Sequence, residues 1–285
     1  MTLGIPAPNF RLPAETRVGR VRLQIADLSR SIEFYTGKLG FKLLGAAPGH
    51  ATLGVGDTPL IELTELPGAR SVAPRARLGL FHFAILLPDR ASLGRAMLHL
   101  HQAGIELGMA DHLVSEALYL SDPDGLGIEI YADRPRAEWK SDGRELRMAT
   151  NPLDTGSLLK AAGGEPWSGM PAGTTIGHVH LHVRDLASAK EFYHEALGLD
   201  VMVESYPGAL FLAAGGYHHH LGLNTWAGPR AEQAKDDEAK LVDWELVLPD
   251  RAAAAQAAQS LQRAKFNVDA AAGVATDPSG TKVRF

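Results

Sequence analysis

The chain contains no cysteine. Disulfides, thiolate nucleophiles and cysteine-ligated zinc or iron–sulfur sites are excluded by that absence. There is no excess of positive charge either. Lys and Arg number 28 against 33 Asp and Glu, a net charge of −5. Nucleic acid and anionic membrane are therefore not expected partners. No basic-then-apolar stretch opens the sequence, and no apolar run reaches the roughly 18 residues a spanning helix needs. A soluble, cytoplasmic protein is the expectation. What stands out instead is histidine, with 12 among 285 residues.

The sequence repeats itself. Gly19-Arg20-Val21-Arg22-Leu23, then Asp27-Leu28, Glu33-Phe34-Tyr35 and Leu39-Gly40, matches Gly177-His178-Val179-His180-Leu181, then Asp185-Leu186, Glu191-Phe192-Tyr193 and Leu197-Gly198. Leu87-Pro88-Asp89-Arg90-Ala91 matches Leu248-Pro249-Asp250-Arg251-Ala252, and Asp122-Pro123-x-Gly125 matches Asp277-Pro278-x-Gly280. Each repeat opens on an alternating strand. A capped helix follows, ended by glycine in the first three, and then short strands. The expected fold class is α+β, four βαβββ modules in two related halves. Residues 17–133 form the first module pair, 134–175 a linker with a short helix at 154–162, and 176–285 the second pair. Residues 1–16 read as an extended arm. A strand is expected near 105–108, and continuous helices over 27–39 and 186–196.

Parity decides which side chains meet. The Asp122-Pro123-Asp124-Gly125 turn launches a strand in which Glu129 opposes Ile128 and Ile130. In the strand at 80–86, Phe81, Phe83 and Ile85 are expected on the helix face and His82 on the other. His178, His180 and His182 share a face opposite Val179, Leu181 and Val183.

These repeats, with Phe81-His82-Phe83-Ala84-Ile85-Leu86-Leu87-Pro88, the stretch Ser115 to Gly125, and Gly215-Gly216-Tyr217-His218-His219-His220-Leu221-Gly222-Leu223-Asn224, resemble the vicinal oxygen chelate superfamily of glyoxalases, bleomycin-resistance proteins and type I extradiol dioxygenases. The four-module order resembles its catechol 2,3-dioxygenase-like branch. The resemblance implies paired modules rolled around a metal, held by one His from each first strand and a Glu from a last strand. His82, Glu129 and His178 match those places. The better-known members use modules three and four. Here module four has Asp243 and Arg284 at the matching places, and module one has Arg20, so modules two and three are expected to share the site.

The resemblance further implies His219 as an acid–base histidine and Tyr119 as a catalytic tyrosine. It matches His112 to a pocket histidine. His220, His112 and His180 stay open between a fourth ligand and a group supporting the ligands. Tyr217, Asn224 and Trp226 are assigned to a substrate pocket. Two His and one carboxylate suit Fe(II), with Mn(II), Ni(II) or Zn(II) as alternatives. The implied activity is extradiol ring cleavage of catechol or a substituted catechol by O₂. The alternatives are a glyoxalase-like metal-dependent isomerase or lyase, and a metal-free binding protein. The implied partners are a small aromatic diol and O₂, and self-association into a homo-oligomer stays open.

Overall fold

The computed structural model describes residues 3–73 and 75–285. Module order in the chain and module order in space differ. One sheet runs through Val268–Asp269, Val274–Thr276, Lys282–Arg284 and Lys240–Val247 of module four into Arg17–Ile25, Thr58–Glu65, His50–Val55 and Lys42–Ala47 of module one. The second runs through Asp200–Val203, Ala209–Ala213, Leu221–Asn224 and Thr175–His182 of module three into Arg77–Leu86, Gly127–Asp133, Ser115–Ser121 and Gly108–Asp111 of module two. The seam of each sheet is an antiparallel pair of first strands, Arg77–Leu86 with Thr175–His182 and Arg17–Ile25 with Lys240–Val247. Inner modules thus pair with each other, as do outer modules.

Consecutive modules are tied through the repeated phrases. The Tyr35 hydroxyl donates to Asp122 Oδ2 at 3.1 Å, and Tyr193 to Asp277 Oδ2 at 2.9 Å. The other oxygen of each aspartate accepts two backbone N–H groups of its own turn, from Asp124 and Leu126 in one case and Ser279 and Thr281 in the other. Both carboxylates are buried, so each is satisfied by the turn it defines and by a tyrosine from the preceding module.

Several expectations need correction. The helices over 27–39 and 186–196 each break in two. Leu28–Glu33 and Leu186–Lys190 are α-helical, and Phe34–Lys38 and Glu191–Ala196 widen into π turns. The strand expected at 105–108 lies at Gly108–Asp111. Module four has two short strands, Val268–Asp269 and Val274–Thr276, that periodicity did not reveal. They are too short to carry an alternation. The arm bridges Ile5 to Val201, and Arg11 Nε donates to the buried Asp200 carboxylate at 2.8 Å. Met1 and Thr2 lie outside the described residues. The segment after module two forms a hairpin, Ser141–Asp142 with Glu145–Leu146, and the helix Thr155–Ala162. Among the described residues no helix is long and apolar enough to cross a membrane.

Phe81 is not on the helix face. Pairing across the seam runs His180 to His82 and then Leu181 to Leu80, so Phe81 is an extra residue. Such a bulge turns a side chain to the other face. Phe81 thus packs beside His82, His180, His182 and Trp226, with ring centroids 4.8–5.7 Å away. Phe83 and Ile85 stay in the main core.

Candidate metal centre

Three neighbouring strands build the centre. Ala84 pairs with Glu129 on one side and with His178 on the other. All three point to the concave face. Neighbouring strands lie about 4.8 Å apart, so the two longer side chains lean toward each other over a methyl group. Ala84 is fully buried beneath them. His82, two residues earlier on the same strand, completes the group.

His178 Nε2 lies 3.1 Å from Glu129 Oε2, and His82 Nε2 lies 2.9 Å from the same oxygen. One ligand atom from each residue falls within 4.8 Å of the other two. All three residues are buried. His178 makes a hydrogen bond to Glu129, but His82 Nε2 has close contact without hydrogen-bond alignment and no other partner among the described residues. A buried ring nitrogen aimed at a carboxylate yet not bonded to it suits a shared cation between them. The residues therefore fit a divalent ion. Burial alone would raise Glu129, but its attraction to His178, the hydrogen bond from His178 and the attraction to His82 hold it well below the ordinary carboxylate range. Burial pushes His178 down to about 4, against the pull of Glu129. An anionic carboxylate and a neutral imidazole are the forms that bind metals.

The matching region of the outer sheet is filled. Arg20 and Arg22 both pair with Glu62, Arg22 and Arg284 with Asp243, and Arg20 with Glu245. Three guanidinium groups thus occupy the carboxylates on that face.

A family model described as the Glyoxalase/Bleomycin resistance protein/Dioxygenase superfamily matches residues 17–130 and 175–285. The chain belongs to this superfamily. Among curated relatives, a catechol-2,3-dioxygenase of Bacillus subtilis is 45% identical over 259 residues, 90% of each chain. A trivalent organoarsenical cleaving enzyme of Thermomonospora curvata is 26% identical over 151 residues, 51% of this chain and 96% of that one. Among solved structures, a putative dioxygenase from B. subtilis superposes with a TM-score of 0.66 at 13% identity, covering 96% of this chain and 85% of the other. Zea mays glyoxalase I gives 0.55 at 20%, covering 94% and 91%.

In this glyoxalase/dioxygenase superfamily member a cavity of about 780 Å³ opens beside the three residues. His82, Glu129, Tyr119, His112, His180 and His219 border it, with apolar walls from Phe81, Phe211 and Trp226. Tyr119 stands opposite Glu129 in the sheet. His112 donates from Nδ1 to the Ala149 carbonyl at 2.7 Å, which leaves Nε2 to accept from the Tyr119 hydroxyl at 2.6 Å. Burial, with Glu129 nearby, pushes the Tyr119 phenol well above 10, so it keeps its proton.

The His218-His219-His220 run separates into different environments. Asp133 Oδ1 lies 2.8 Å from His218 Nε2, and His218 Nδ1 lies 2.7 Å from His219 Nδ1. The carboxylate can only accept, so His218 donates from Nε2, and in the neutral His218 tautomer Nδ1 accepts from His219. His219 then holds its lone pair on Nε2, the edge away from His218. Burial, and the imidazoles of His178, His218 and His180, keep His219 neutral. His220 is separate: its Nδ1 accepts from the Ala214 backbone N–H at 3.2 Å, and burial lowers it to about 3.

Of the expected pocket residues, Trp226 borders the cavity, whereas Tyr217 and Asn224 do not. Tyr217 donates to Asp133 and shares a hydrogen bond with Tyr131. Asn224 bridges His180 and His182. Asp133 and His218 were not singled out in the sequence. Parity could have found Asp133, since Glu129, Tyr131 and Asp133 alternate along one strand. Two glycines make room here. A Cβ on Gly177 would lie 1.8 Å from the Tyr131 hydroxyl, and one on Gly222 2.8 Å from His180 Cγ.

Proposed function

We propose that the protein is a metal-dependent extradiol dioxygenase that opens the ring of a catechol with O₂. The observation that carries this reading is the convergence of His82, Glu129 and His178 on one point beside the cavity. The likeness to a catechol-2,3-dioxygenase over 90% of the chain supports it. His82, Glu129 and His178 would hold the ion, Fe(II) in this reading. When bound, the ion acidifies a diol hydroxyl and mediates electron flow from the ring to O₂. The net reaction cleaves the ring bond beside the diol, and both oxygen atoms enter the product.

The remaining residues handle position and protons. His219 accepts a diol proton at Nε2, because its Nδ1–H is committed to His218. The charge that forms is shared down the chain to Asp133, as a carboxylate steadies an imidazolium in other relays. Tyr119, kept protonated, donates to a substrate oxygen by turning from His112. Phe81, Phe211 and Trp226 hold the ring and exclude water. His220 is engaged by a backbone N–H, which weighs against a four-ligand isomerase.

The test is the Fe(II)-reconstituted protein mixed with catechol in air, with the yellow ring-opened product followed by absorbance. Product formation upholds the reading. Full iron occupancy with no product from catechol or any substituted catechol rejects it.

A further inference from the structure

The cavity is much larger than a single diol ring fills. At about 780 Å³ it falls in the range that holds drug-sized ligands, about 300–1,000 Å³. A bare catechol is a single ring. Of the candidate metal centre, His82 and Glu129 border the cavity. His180 stands level with His82, and His182 is two residues further along. At about 3.3 Å per residue, His182 lies roughly 13 Å along the strand from His178.

A fixed chain of hydrogen bonds defines what His182 offers. The Trp226 backbone N–H can only donate, and it donates to Asn224 Oδ1 at 3.0 Å. That assigns the Asn224 amide, so Oδ1 must also accept from His182 Nδ1, at 2.6 Å. The Asn224 amide NH₂ donates to His180 Nε2 at 2.9 Å. His182 therefore carries its proton on Nδ1 and a lone pair on Nε2. Its Nε2 is buried and has no partner among the described residues. The ring, 1% exposed, borders the cavity against Phe81. A buried acceptor left without a donor is costly unless a ligand supplies one. The Arg75 guanidinium lies over Phe81 at 5.9 Å from the ring centroid and disfavours a cationic donor nearby.

We propose that the substrate is an extended catechol: an apolar arm, such as a second aromatic ring, runs from the diol ring past Phe81, and a neutral hydroxyl at its far end donates to His182 Nε2. The inference rests on the ring-cleavage reading and adds the substrate class to it. Phe81, Phe211 and Trp226 give the arm apolar walls, and His182 offers it a buried acceptor roughly 13 Å along the strand from His178.

The test compares catechol, 3- and 4-phenylcatechol, and both phenylcatechols bearing a para hydroxyl on the second ring. With the Fe(II)-loaded protein, kcat/KM rises at least tenfold from catechol to the better phenylcatechol. The distal hydroxyl adds a further twofold to tenfold, the range of one neutral hydrogen bond. Calorimetry on the anaerobic, metal-free protein reads the same hydroxyl preference in Kd. His182→Phe abolishes that preference and His182→Gln, which keeps an acceptor, restores part of it. Catechol cleaved as well as its arylated forms overturns the extended substrate and leaves ring cleavage standing. An arm preference with no hydroxyl effect in the wild-type protein, or one that His182→Phe leaves intact, overturns the role of His182. No cleavage of any probe removes ring cleavage and this proposal together.

Discussion

Replacing Ala84 by Leu should separate folding from metal binding. Ala84 sits under the Glu129–His178 contact, paired to both residues across the sheet. It is fully buried, so the added carbons have no route to solvent. They must rise into the 3.1 Å contact between His178 Nε2 and Glu129 Oε2. Overpacking of this kind costs about 1–3 kcal/mol. Unfolding entropy near 2.1 cal/mol/K per residue makes one kcal/mol worth about 2 °C in a chain of this length. The expected loss in chelator is therefore about 2–6 °C. The metal response should change more. An ion at one hundred times its Kd stabilises the wild-type protein by about 2.7 kcal/mol, about 5 °C. In Ala84→Leu that gain should fall below about 1 °C, because the ligand atoms no longer converge. Thermal unfolding in EDTA and then in rising Mn(II) reads both effects. Ala84→Gly, which removes bulk, should keep the metal-induced shift. A folded Ala84→Leu protein with the full shift would refute the idea that the ion sits above this methyl group.

Three further changes probe the parts around the centre. Gly177→Ala puts a Cβ 1.8 Å from the Tyr131 hydroxyl and should cost about 2–3 kcal/mol in urea unfolding, with Tyr131→Phe in the same chain recovering part of it. Equal losses in the single and double variants would show that the clash is not with that hydroxyl. Arg22→Ala strips partners from Glu62 and the buried Asp243, so about 2–4 kcal/mol of stability should go while metal affinity stays within a factor of about two. A matching loss of metal binding would show that the outer ion pairs help to set the geometry of the metal centre. His218→Leu should lower kcat at least ~10-fold with metal content unchanged, and Asp133→Asn should lower it less. Unaltered kcat in His218→Leu would remove the relay from the mechanism.

Much of the centre was legible because a strand has a period of two. That rule put Glu129 opposite Ile128 and Ile130, and His178 and His180 on one face. It failed at Phe81, where one inserted residue reverses the phase. A bulge leaves no mark in composition. The rule also had Asp133 within reach, two residues past Tyr131, but Asp133 gains meaning only from His218, 85 residues away. Tyr217 and Asn224 were expected in the substrate pocket, and neither borders the cavity. Asn224 holds the wall histidines His180 and His182 from behind, and Tyr217 bonds to Asp133.

The sequence by itself determined the repeats, the turns that open their strands and the placing of Arg20, Asp243 and Arg284 in the outer modules where the inner ones carry His178, His82 and Glu129. These are local properties, set by backbone chemistry and residue type. Only the tertiary structure decided that modules two and three share a sheet, that Ala84 leaves room for Glu129 and His178 to meet, and that neighbouring histidines in one run take different roles. Those outcomes depend on the register between strands about 90 residues apart. A shift of one residue there would turn the histidines away from Glu129, and no short stretch of the chain records which register holds.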